Sequence, residues 1–77
     1  MEKKYKEVFI KGLSLKENQD VSNLNYNEIE EWDSIGHMTL ISELEEAFGV
    51  TLDTDDIVNF SSYQEGKKIL SKLGVKF

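Results

Sequence analysis

The chain has 77 residues, no cysteine, no proline and one histidine, and its 15 acidic against 9 basic side chains leave a formal charge of −6. This is one small domain, residues 1–77, in which disulfides, thiolate metal sites and thiol catalysis are excluded and a protein-only zinc site is a poor fit. The acidic surface argues against nucleic acid and for partner proteins with basic docking patches, and no run approaches the ~20 apolar residues of a bilayer span.

The opening MEKKYKEV is charged, with no apolar core of a secretory signal, so a cytoplasmic monomer is expected. Tyr5, Val8, Phe9 and Leu13 then recur at helical spacing and define a core-facing stripe. Gly12 and Ser14 weaken this first helix, which should close near Leu13 to Leu15.

Residues 16–33 read as a long connection, because Asn18, Asp20, Ser22, Asn23, Asn25 and Asn27 favour turns over helix. Val21, Leu24, Tyr26, Ile29 and Trp32 punctuate it, which suggests a loop pinned to the core. Loops this long in small domains are commonly functional when they are ordered.

A second helix is expected from Ser34 to Phe48, closed by Gly49 and capped by Asp33 or Ser34. Glu43, Glu45 and Glu46 near its far end oppose the helix dipole, which suggests a purpose other than stability. A short third helix fits Thr54 to Phe60, with Asp53, Asp55 and Asp56 at its start. A fourth begins at SSYQE, where Ser61 with Gln64 or Ser62 with Glu65 offers a capping box. Its stripe is Tyr63, Gly66, Ile69, Leu70 and Leu73, and Gly74 ends it. The expected fold is all-α, four helices with a long first loop and a short third helix.

At ~100° per residue, the second helix places Leu40, Ile41, Leu44, Ala47 and Phe48 within one third of the circle, the core face. Ile35 and Met38 fall on the other side, near Ser42, Glu45 and Glu46. An apolar centre with a charged rim is how transient protein interfaces are commonly built. His37 falls within the core arc, as a hydrogen-bonded buried histidine, and Trp32 reads as the anchor of the loop.

Ser34 admits three readings. As a hydrolase nucleophile it lacks the first glycine of the G-x-S-x-G elbow, since Trp32 stands there, and His37 lies three residues on along the same helix. The acids of DTDD at 53–56 do not offer a calcium loop in its place, because Ile57 and Val58 break the ligand pattern. A helix cap and a modification site remain. A phosphate ester on Ser34 would sit at a helix N-terminus, where dipole and free amides favour an anion.

Asp33-Ser34-Ile35 followed by helix resembles the D-S-[LI] signature of acyl carrier proteins, whose serine carries 4′-phosphopantetheine. The likeness continues through Leu40, Ile41, Leu44, Glu45, Glu46, Phe48 and Gly49 and covers essentially the whole chain. It implies an acyl-carrier four-helix bundle with no catalytic residues, in which Ser34 is the attachment residue and Asp33 the acid beside it. Ile35, Met38, Glu45 and Glu46 would form the face read by a phosphopantetheinyl transferase and by acyl-loading and acyl-transfer enzymes. The working thiol of such a carrier arrives with the arm, which suits a chain without cysteine. Aliphatic cargo would shelter between helices, with Leu44, Phe48 and Ile57 as candidate liners, although ordinary core packing is the role first expected of them.

Where fatty-acid-synthase carriers usually have further acids after the serine, this chain has Gly36, His37 and Thr39. The WDSIGHM form is more similar to free-standing carriers of specialised bacterial fatty acid or polyketide pathways. An aminoacyl carrier (D-alanyl or peptidyl) uses the same arm and fold. An unmodified acidic helical adaptor is the alternative from another class.

Overall fold

The computed structural model describes residues 2–77, and among them are four helices: α1 (Glu2–Gly12), α2 (Ser34–Phe48), α3 (Thr54–Asn59) and α4 (Tyr63–Lys72). The stripe of α1 is buried as its spacing demands, with Tyr5 and Phe9 fully enclosed. At its end Ser14 takes a left-handed φ of 56°. The amides of Ser14 and Leu15 turn back to the carbonyls of Lys11 and Ile10, which closes the helix in the Schellman manner.

The first loop is tied down along its length. Val21, Leu24 and Trp32 are buried. The Tyr26 amide donates to the Ser61 carbonyl at 2.8 Å and the Tyr63 amide to that of Leu24 at 3.0 Å, so a single antiparallel bridge, Asn25 with Ser62, joins the loop to the entrance of α4. Gln64 Nε2 adds a bond to the Ser22 carbonyl. These bonds satisfy backbone groups that a loop crossing the core would otherwise leave unpaired.

The core is aromatic. Phe9 meets the rings of Trp32, Phe60 and Tyr63 with centroids 5.3, 6.0 and 5.0 Å away, and Leu40, Ile41 and Leu44 of α2 close the cluster. Tyr5 donates from its hydroxyl to the Tyr63 carbonyl at 2.7 Å. Burial pushes both tyrosine hydroxyls well above the ordinary phenol range. The Tyr63 hydroxyl donates to Glu2, whose other oxygen pairs with Lys67, so the start of α1 is clamped to α4.

Gly49 ends α2 at φ 65°, and its amide and that of Val50 both donate to the Glu45 carbonyl. Four details differ from the sequence reading. The third helix stops at Asn59, because Phe60 turns into the core as its C-cap. Of the two capping boxes the structure uses Ser62, whose Oγ accepts from the Glu65 amide, while the Glu65 carboxylate faces Lys68 instead of closing the box. Leu73 is exposed, since α4 ends at Lys72 and the chain turns so that Val75 fills the core position. Finally, two of the acids at the end of α2 have structural partners: Glu43 pairs with Lys11 and Glu45 accepts from the Leu52 amide at 2.8 Å.

Candidate functional site

The start of α2 is built by Asp33. Its backbone is extended (φ −98°, ψ −168°), its carboxylate Oδ1 accepts from the Gly36 amide at 2.8 Å, and its carbonyl accepts from His37 at 2.8 Å. The cap is therefore the aspartate, and the serine after it is spared that duty. Ser34 is exposed at the end of the helix, and its Oγ has no hydrogen-bond partner among the described residues. The first-turn amides add partial positive charge around it.

Gly36 makes this corner possible. A Cβ there would run into the carbonyl oxygen of Glu31, so only glycine lets the end of the loop cross so close to the helix. The sequence reading gave Gly36 no such role. The requirement arises from a loop carbonyl, and no helical periodicity reports it.

His37, one turn beyond Ser34, is buried and uses both ring nitrogens. Trp32 donates from Nε1 to His37 Nδ1 at 2.9 Å, which places the imidazole proton on Nε2, 2.8 Å from the carbonyl of Ile57. The loop, α2 and α3 thus meet on one ring. Neither nitrogen is free to activate Ser34, so a serine–histidine nucleophile is absent from this corner.

Ile35 and Met38 point outward, 76% and 52% exposed. Val58 of α3 is 73% exposed and Tyr26 of the loop 41%. Glu46 is exposed further along α2, while Glu45 is half-buried and holds the Leu52 amide with one oxygen. The first two turns of α2 carry no acid, whereas Glu28, Glu30, Glu31 and Asp33 stand exposed in the loop before it.

An open recess of about 280 Å³ lies between the loop, α2 and α3, lined by Tyr26, His37, Ile57, Val58, Phe60 and Ser61. Of the candidate liners only Ile57 is there, and all three belong to or pack against the core, as first expected. Leu44 is fully buried in the core, and Phe48 borders a separate hollow with Val50 and Leu73.

These residues suit a covalently joined phosphate ester: an exposed hydroxyl stands on a helix start with unpaired amides, and the neighbouring Asp33 carboxylate is engaged as the cap by the Gly36 amide. A protein-family model described as "Phosphopantetheine attachment site" matches residues 15–65, well over half of the chain. No curated protein and no solved structure matches it.

Proposed function

Since the chain belongs to the phosphopantetheine attachment family, whose domain bears 4′-phosphopantetheine covalently, we propose that Ser34 is the residue that carries the arm. The observation that supports this best is the division of labour at the helix start: Asp33 supplies the cap, and the Ser34 hydroxyl is left exposed and unbonded.

In the transfer, Ser34 Oγ attacks the pantetheine-bearing phosphorus of coenzyme A. The Oγ–P bond forms, the P–O bond to 3′,5′-ADP breaks, and the serine proton passes to a base of the transferase. Once in place, the arm supplies a terminal thiol on which acyl groups are held as thioesters. Asp33 keeps the helix start in register, and the first-turn amides favour the phosphodiester charge. Carrier domains of this kind are themselves non-catalytic, and their partners include a phosphopantetheinyl transferase and acyl-handling enzymes.

Ile35 and Met38, with Glu46 and the outer oxygen of Glu45, form the face such partners would read, an apolar centre beside acids that suit basic side chains. The absence of acids directly after Ser34 supports a specialised fatty acid, polyketide or aminoacyl route over bulk fatty acid synthesis.

Incubation with coenzyme A and a broad-specificity transferase, followed by intact-mass measurement, tests the assignment. One phosphopantetheinyl increment is expected on the wild type and none on Ser34→Ala, which retains the Asp33 cap and should fold. An unmodified wild type would favour a helical adaptor, and an increment surviving Ser34→Ala would move the attachment elsewhere.

A further inference from the structure

We infer that His37 limits the length of cargo this domain can shelter, an inference that rests on the carrier reading above. Cargo joined through Ser34 has one apolar recess within a turn of the attachment helix, and His37 and Phe60 line it, their ring centroids 6.0 Å apart. Behind them stands Trp32, fully enclosed, and then the closed cluster of Phe9, Leu40 and Leu44.

The His37 ring is held at both nitrogens, by Trp32 on one side and by the Ile57 carbonyl of α3 on the other. A chain passing deeper between α2 and α3 must displace that ring. It would then leave a buried indole N–H and a helix carbonyl without partners, in a core where every buried side-chain polar atom among the described residues is satisfied. The recess of about 280 Å³ is open to solvent, so only a short stretch of chain shelters in it and the remainder of a longer one stays outside. His37 acts here as a specificity-determining residue that never touches the reacting atoms.

The test loads the protein directly from acetyl-, butyryl-, octanoyl-, dodecanoyl- and hexadecanoyl-coenzyme A with a broad-specificity transferase, each product verified by intact mass. Two readouts follow, the melting temperature and the indole N–H resonance of Trp32, the only tryptophan. The melting temperature is expected to rise over the shorter cargoes and to stay level from dodecanoyl to hexadecanoyl, with the Trp32 resonance unmoved. Were the chain drawn into the bundle, each added methylene would shift the folding equilibrium about fourfold. A melting temperature that keeps rising to hexadecanoyl, with a displaced Trp32 signal, overturns the inference and leaves the carrier reading intact. Absence of any mass increment overturns both. His37→Ala should move the plateau to longer chains, and His37→Gln, whose amide can keep both bonds, should restore it. Should His37→Ala not fold, the wild-type series decides alone.

Discussion

The indole of Trp32 donates to Nδ1 of His37 at 2.9 Å and so joins the end of the first loop to the first turn of α2. Because the same imidazole donates onward to Ile57, one tautomer holds three segments around the start of α2. Trp32→Phe keeps one aromatic ring but removes the donor together with the pyrrole half of a fully buried indole, and leaves His37 Nδ1 buried and unpaired. A loss of about 1–3 kcal/mol in unfolding free energy is expected, measured by urea denaturation followed by circular dichroism. A variant as stable as wild type would show that neither the bond nor the lost ring volume contributes net stability.

Gly36→Ala forces a methyl group into the Glu31 carbonyl, and backbone yields less readily than a flexible side-chain end. The expected cost is about 1–3 kcal/mol, with slower modification of Ser34 even where the variant remains folded, since the loop must move away from the helix start. Thermal melts and a time course of the mass increment check both parts. Unchanged melting would mean the loop relaxes freely.

Ile35→Asp separates surface from core. At 76% exposure the side chain contributes little packing, so stability should stay within about 0.5 kcal/mol of wild type. Transfer of the arm to Ser34 should nonetheless slow, because a carboxylate replaces the apolar centre of the proposed partner face. Equal transfer rates at limiting transferase would remove Ile35 from the recognition surface.

The clamp between Glu2 and α4 makes stability depend on pH. The hydrogen bond from Lys67, and next that from Tyr63, holds the Glu2 carboxyl below the ordinary value of 4.5. A lowered folded value means that this contribution is present above about pH 4.5 and is lost as pH falls through the folded value. The stability gap between wild type and Glu2→Gln should therefore be widest near neutrality and narrow in acid. Tyr5 and Tyr63 act at the other end: burial raises them above 10.0, so their neutral forms support the fold below that pH and stability falls as pH rises beyond it. Melting curves across both ranges test the pattern, and a gap that widens in acid would reverse the sign argued for Glu2.

Much of the architecture was legible in the residues alone. Apolar spacing at 3.6 residues announced α1, α2 and the body of α4, because each helix buries one stripe of its surface in the core. The outward turn of Ile35 and Met38 and the inward turn of His37 followed from the same rotation per residue. Asp33-Ser34-Ile35 marked the corner that the family match also covers.

What tertiary structure decided are relationships between segments far apart in sequence. Periodicity has no term for a Glu31 carbonyl resting against Gly36, for an imidazole shared by Trp32 and Ile57, or for a Glu45 oxygen spent on the Leu52 amide. The Glu31–Gly36 approach is a close packing of the loop on the helix, and the two hydrogen-bonded relationships pair backbone or ring groups that burial would otherwise leave unpaired. That demand also settled which residue caps the helix. Asp33 took the amide of Gly36, and the Ser34 hydroxyl remained exposed.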